Sequence, residues 1–306
     1  MKKVVLAGGT GFLGKLLRDH FVDKDYQVVI LSRQAYTSKL NITYVPWDGE
    51  TLSEWKNELE GADALINLCG KSVDCRYTES NKKLIYDTRL NSTQVLGKAV
   101  GLCKTPPKVW INSSSATIYR HAEDRDMGEE TGEIGTGFSV DVCKKWENAF
   151  FDCTSPGTRK VALRIAIVIG KNGGALQPLK SLTKIGFGGR QGSGNQYFSW
   201  IHEVDFINAV NFVLDNKELS GVCNVSSPNP VRNTQFMSSL RKALKVPFGI
   251  PMPKWMLEMG ALIIRTETEL ILKSRRVVPK KLIESGYRFH YGNLENALID
   301  LVQKKP

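Results

Sequence analysis

Seven residues near the start of the chain, Gly8-Gly9-Thr10-Gly11-Phe12-Leu13-Gly14, have the types and spacing to hold a diphosphate. Glycines at positions 8, 11 and 14 suit a tight turn, a close approach of backbone to a pyrophosphate, and close helix-on-strand packing. A helix opening at about Thr10 to Phe12 would aim its N–H groups and the positive end of its dipole at the phosphates. A lone glycine motif is weak, and Gly9, Gly11 and Gly14 fit a related spacing, so the flanks must give it weight. Val4 to Ala7 reads as a buried strand, and Phe12, Leu13, Leu16, Leu17 and Phe21 recur at helical spacing. The stretch is read as the first βα turn of a dinucleotide site, with Gly8, Thr10, Gly11, Phe12, Leu13 and Gly14 as cofactor contacts.

Two further groups carry chemistry. Val28 to Leu31 forms the next strand and ends in Ser32-Arg33, where a carboxylate would hold the ribose diol of NAD. A guanidinium pairs with a 2′-phosphate that a carboxylate would repel, so Ser32 and Arg33 favour NADP(H). Ser113-Ser114-Ser115 ends a later strand and leads to Tyr119. Ser115 and Tyr119 are candidates to polarise a substrate carbonyl. His202, beside Trp200-Ile201, is a candidate proton donor near neutral pH, against the commoner role of a structural histidine.

These residues need a frame. Ile42 to Val45, Ala64 to Leu68, Val109 to Asn112 and Val161 to Ile169 read as further strands, with helices between them. One helical region runs from Gly70 to Val100 with an interruption near Thr88-Arg89, and another covers Ser139 to Phe151. The pattern predicts an α/β fold, a Rossmann-type doubly wound parallel sheet with a smaller C-terminal α/β substrate lobe. Residues 1–170 form the NADP-binding domain, completed by about 200–226; residues 171–199 and 227–306 form the lobe. Ligands sit at strand carboxyl ends, which assigns Leu68, Cys69 and Gly70, with Val168, to the cofactor wall. Residues 120–137, polar and acidic, are expected to form a mobile loop over the pocket mouth. Arg164, mid-strand, needs a buried partner, and Glu147 and Asp205 are the candidates.

Composition narrows the classes. The 306 residues are 42% hydrophobic and 24% charged, as in globular proteins, and no apolar run is long enough to span a membrane. Six scattered cysteines form no C-x-x-C pair and four histidines do not cluster, so neither zinc nor a disulfide framework is indicated. The apolar run after Lys2-Lys3 is too short for an export signal, and a cytoplasmic setting is expected. The net charge of +11 has no nucleic-acid motif beside it and reads as a solvated basic surface suited to an anionic cofactor. The expected partner is a small-molecule substrate, with no nucleic acid and no membrane; a homodimer is a candidate assembly.

AGGTGFLG and SSSATIY resemble the extended, epimerase-like branch of the short-chain dehydrogenase/reductase superfamily. More narrowly, DTRLNST, VCKKWE, LRIAIVIGKNGGAL, GFGGRQGSGNQYFSWIHEVD and RRVVPKKLIESGYRFHYGNLENAL resemble an "epimerase family" of NADP-dependent atypical reductases with a closing domain of unknown role. The resemblance covers essentially the whole chain. It implies NADP as cofactor, Ser115 as the superfamily's strand-end hydroxyl, and Arg89 in place of a superfamily Asn, contacting cofactor or substrate phosphate.

One departure stands out. The superfamily uses a Tyr and, four residues later, a Lys on one helix face. Alignment on Glu147 puts Ser139 and Cys143 there, and Lys144 is rotated about 100° away. Two readings follow: an NADP(H)-dependent oxidoreductase or epimerase-like enzyme acting on a small carbonyl or hydroxyl substrate, and a non-catalytic NADP(H)-binding sensor or interaction protein, linked to cell division by the labels of some relatives.

Overall fold

Valine- and isoleucine-rich runs buried on both faces build a parallel sheet, and the computed structural model describes residues 1–264 and 267–303 of the chain around it. In chain order the strands are β1 (Lys3–Ala7), β2 (Gln27–Ser32), β3 (Ile42–Pro46), β4 (Ala64–Asn67), β5 (Val109–Ser115), β6 (Arg159–Ile165), β7 (Ile167–Ile169), β8 (Tyr197–Phe198), β9 (Trp200–His202), β10 (Gly221–Val225) and β11 (Val231–Arg232). The helices are α1 (Phe12–Asp23), α2 (Glu79–Leu102), α3 (Phe138–Phe151), α4 (Leu176–Lys184), α5 (Glu203–Asp215), α6 (Asn233–Leu244), α7 (Lys254–Ile264), α8 (Glu269–Leu272), α9 (Lys280–Glu284) and α10 (Leu294–Val302).

The central sheet has seven strands in the order β10-β6-β5-β4-β1-β2-β3, all parallel. Strand alternation divides the core into two layers. Val4 and Leu6 face Leu17 and Phe21 of α1 and Phe206 and Val210 of α5. Val5 and Ala7 face Leu96 and Val100 of α2 and Phe150 of α3. Because β1 has β2 on one side and β4 on the other, the order reverses at β1. A crevice opens at such a reversal, outside the strand carboxyl ends. The expected doubly wound sheet is therefore present, and its strand order reverses beside the glycine turn.

Several local expectations change. The run Val161 to Ile169 is two strands, broken at Ala166, whose N–H is taken by the carbonyl of Val225. β7 then pairs with β9 outside the main sheet. α2 runs without interruption; Thr88 and Thr93 return their hydroxyl protons to carbonyls four residues back, at Leu84 and Arg89, and stay helical. The glycine-rich stretch after Gly173 contains α4, whose apolar positions Leu176 and Leu179 are buried.

The acidic segment 120–137 is packed down. Met127 is fully buried, its N–H bonds the carbonyl of Arg276, and Glu129 accepts the N–H of Asn224. Its charges are spent on neighbours such as Arg120, so polarity here marks a pinned loop. Beyond β11 the described lobe is helical, and its core joins α4, α6 and α10 through Leu176, Phe236, Leu240 and Leu298.

Candidate functional site

The glycine turn has the geometry of a cradle. Gly8 lies at φ +77°, and a Cβ there would come within 3.0 Å of the Cys69 backbone and Sγ. Only a glycine meets both demands. A Cβ on Gly14 would stand 2.5 Å from Gly9, which brings the first turn of α1 down onto the loop. At Gly11, by contrast, an added Cβ would meet nothing within 4 Å. Gly11 is the N-cap of α1 and supplies no side-chain cap, so first-turn N–H groups stay available to an outside acceptor. Three glycines thus do three things: turn, leave open space, and permit close packing. A diphosphate fits the residues present.

The neighbouring strand ends complete this edge. Phe12 packs its ring on Gly170, Gly173 and Gly174, fixing the start of α1 against the segment after β7, while Leu13 is half-buried on the core. Thr10 is half-buried in the turn. Ser32 is buried at the end of β2, and its hydroxyl accepts the N–H of Gln34. Arg33 follows it, exposed, with no ion-pair partner among the described residues. Leu68 and Cys69 are half-buried after β4, and Gly70 is exposed. Burial pushes the Cys69 thiol up to about 12, so it is protonated near neutral pH.

Gly70 is small for a reason that involves Arg89. A Cβ at Gly70 would lie 2.9 Å from the Arg89 guanidinium carbon. The guanidinium donates to the carbonyls of Lys71 and Ile85 at 3.0 Å and stacks over Trp146 at 5.0 Å. Burial holds its pKa below the usual arginine value, and the groups that oppose this are Cys143, Tyr77, Cys69 and Cys75. The cation therefore faces thiols and a phenol beside the glycine turn.

Ser115 ends β5 on the same edge. Its Oγ accepts the N–H of Thr117 at 3.2 Å, capping a short turn over Ala116–Ile118. No bond from its own proton is found among the described residues, which leaves it a donor to a ligand carbonyl.

Two candidates leave the pocket. Tyr119 is fully buried; its OH donates to Asn224 Oδ1 at 2.9 Å and accepts from Arg164 Nη1 at 3.0 Å. Arg164 in turn pairs with Glu147, not Asp205. Tyr119 therefore completes an ionic network inside the protein and cannot reach a substrate. His202 is also fully buried: Nδ1 accepts the N–H of Val204 as the N-cap of α5, the ring stacks on Tyr291 at 3.9 Å, and Nε2 lies 3.4 Å from Asp300. Burial lowers its pKa below the usual imidazole value. Asp205 accepts the N–H groups of His290 and Tyr291. That motif is a clasp between α5 and the C-terminal segment. Val168 is buried in the core, two residues ahead of the Gly170 that meets Phe12.

A cluster that residue spacing does not reveal surrounds Ser139 and Cys143. Ser139 Oγ donates to Glu269 Oε2 at 2.8 Å and lies 3.3 Å from the OH of Tyr77. Lys273 Nζ donates to the carbonyl of Thr117 at 2.9 Å, and the Cys143 side chain acts on it electrostatically. Arg275 is buried within electrostatic range of Glu269, Cys143 and Tyr77. Tyr77 precedes α2, while Glu269, Lys273 and Arg275 come from the lobe. Only the fold brings them to α3.

An open cavity of about 730 Å³ lies elsewhere, between α2 and α3 at Gly97, Ala149 and Cys153. It is remote from the strand carboxyl ends. Among the described residues no helix is long and apolar enough to cross a membrane.

Comparison with known proteins shows the family and the fold. Residues 4–140 match the NAD dependent epimerase/dehydratase family, and residues 252–301 match a domain of unknown function, DUF1731. The epimerase family protein YfhF of Bacillus subtilis is 34% identical over 303 residues, covering 98% of this chain and 97% of that one. The epimerase family protein SERP0438 of Staphylococcus epidermidis is 31% identical over 304 residues, covering 99% and 100%. The crystal structure of the human epimerase family protein SDR39U1 (isoform 2) with NADPH superposes with a TM-score of 0.86 at 27% identity, covering 98% and 99%.

Proposed function

Because the chain belongs to the epimerase family, within the NAD dependent epimerase/dehydratase proteins, we propose that it is an NADP(H)-dependent oxidoreductase acting on a small carbonyl or hydroxyl compound. The observation that carries this reading is the glycine cradle opening at Gly11 beside an unpaired Arg33. Gly8, Gly11 and Gly14 with the first turn of α1 hold the diphosphate. Ser32 and Arg33 hold the 2′-phosphate; the human relative solved with NADPH supports that preference. Leu68, Cys69 and Gly70 wall the site, and Arg89 binds an anionic oxygen of cofactor or substrate. Bound there, a nicotinamide supplies or accepts a hydride. Ser115 donates its free proton to the substrate oxygen and orients it. Arg89, Lys273 and Arg275 outnumber Glu267 and Glu269 around this space, which favours a substrate bearing a carboxylate or phosphate.

Titration calorimetry tests the reading. NADPH should bind wild-type protein much more tightly than NADH, and Arg33→Ala should remove most of the difference. Binding of neither nucleotide would overturn it.

Ser139 and Cys143 at the two helix positions of the superfamily's Tyr and Lys favour a second reading, a non-catalytic NADP(H) sensor. Tight NADPH binding without oxidation of NADPH by any of a wide panel of aldehydes, ketones and keto acids would select it.

A further inference from the structure

We propose that Tyr77, Ser139 and Glu269 form a proton relay in which Tyr77 is the catalytic acid toward the substrate oxygen; this rests on the nucleotide-dependent reading above.

The hydrogen-bond polarity of this chain is fixed by counting protons. A serine hydroxyl has one proton to give. Ser139 gives it to the Glu269 carboxylate at 2.8 Å, so the 3.3 Å contact with Tyr77 is a bond that Tyr77 donates. The order is phenol, serine, carboxylate. Tyr77 is held in place: its ring packs against Phe138 at 4.7 Å between centroids, and its N–H bonds Glu267 Oε1 at 2.9 Å. Ser139 is buried, whereas the Glu269 side chain is 35% exposed and meets water. The relay therefore has an inner end and an outer end.

Burial, with Glu269, Cys75 and Glu267 nearby, pushes the Tyr77 phenol up, so it keeps its proton until a substrate oxygen takes it. Ser139 opposes that shift, and Arg89 of α2 and Arg275 after α8 bring positive charge within electrostatic range. Lys273 Nζ stands 3.9 Å from Glu269 Oε1 and holds that carboxylate. Arg89 also borders Gly70, so the relay and the glycine turn share one cation. Lys273 donates to the carbonyl of Thr117, whose N–H bonds Ser115 Oγ, so the second oxygen-binding group is tied to the same place.

In the reducing direction the Tyr77 O–H bond breaks and its proton forms a new O–H bond on the substrate oxygen. Ser139 re-aims its hydroxyl and returns a proton to the phenolate, and Glu269 hands Ser139 a proton taken from water. One proton crosses from water to substrate, and no electrons move along the chain. Oxidation of an alcohol runs the same transfers backwards.

The test is a pH titration of ring-carbon-labelled tyrosine by NMR, with the Tyr77→Phe variant identifying the signal and thermal melting confirming its fold. In nucleotide-free protein, Ser139→Ala should raise the Tyr77 midpoint, because the phenolate loses a donor. An oxidised nicotinamide carries a positive charge, so NADP+ should lower the Tyr77 midpoint by about one pH unit relative to NADPH. An unchanged midpoint in Ser139→Ala would overturn the relay. Equal midpoints with both nucleotides, each shown bound by calorimetry, would overturn the catalytic assignment and leave the nucleotide reading intact. Binding of neither nucleotide to wild-type protein would remove the proposed function and the role of Tyr77 together.

Discussion

Arg164 and Glu147 face each other across β6 and α3 as a two-pronged ion pair, Nε to Oε1 at 2.8 Å and Nη2 to Oε2 at 2.7 Å, each side chain only 8% exposed. Ser114 Oγ donates to Glu147 at 2.6 Å and Tyr119 receives Arg164 Nη1, so the remaining polar capacity is used. Removing one partner leaves the other charge buried and uncompensated. Glu147→Ala should lower unfolding free energy by about 3–5 kcal/mol. A loss of less than about 1 kcal/mol in urea unfolding would contradict the network's role. Tyr119→Phe should cost much less, about 1–2 kcal/mol, and leave nucleotide binding unchanged.

Arg33 is exposed and has no ion-pair partner among the described residues, so its loss should not destabilise the fold. Its effect belongs to the ligand. Arg33→Ala should weaken NADPH by about 1.5–3 kcal/mol, roughly tenfold to a hundredfold in Kd, and leave NADH within about threefold. Equal weakening of both nucleotides would place Arg33 away from the 2′-phosphate.

Gly11 and Gly14 should separate binding from folding. A methyl group at Gly14 collides with the Gly9 backbone, and Gly14→Ala should lower stability by about 1–3 kcal/mol as well as abolish nucleotide affinity. At Gly11 the added methyl enters open space at φ −75°, so Gly11→Ala should melt like wild type. It should nevertheless bind NADPH poorly, because that space is where the diphosphate lies. Thermal melts with and without NADPH compare the two variants.

His202 makes a prediction about acid. Its folded pKa lies below its unfolded one, so as pH falls from about 6.5 the unfolded chain takes up a proton that the folded chain refuses. Stability contributed by the neutral ring is present above that pH and declines as pH falls toward the folded value. The slope is at most about 1.4 kcal/mol per pH unit. His202→Asn, which keeps an acceptor for the N-cap, should flatten this limb between pH 6.5 and 5 in urea titrations. NADPH affinity should be unaffected, whereas a catalytic histidine would show in turnover.

Residue types and spacing revealed the frame. Val4 to Ala7, the glycines and the helical spacing of α1 are local patterns, and local patterns survive in a single sequence. The helix α4 was hidden because glycines flank it, and the break at Ala166 because the apolar run continues across it. Tyr119 and His202 were misplaced for a different reason. Their chemistry suits catalysis, but which way a side chain faces at a strand end is decided by partners such as Asn224 and Asp300 far along the chain. Tyr77, Ser139 and Glu269 show the converse: 62 and 130 residues separate the bonded partners, and no periodicity links them.

The seventh strand of the central sheet, β10, arrives only after the chain has passed through α4, β8, β9 and α5. A nascent chain that has emerged only through residue 170 would present β6 with an open row of N–H and C=O groups, an invitation to pair with a neighbour. The first 170 residues thus leave the central sheet one strand short, and β6 gains its outer neighbour only when residues 221–225 have been made.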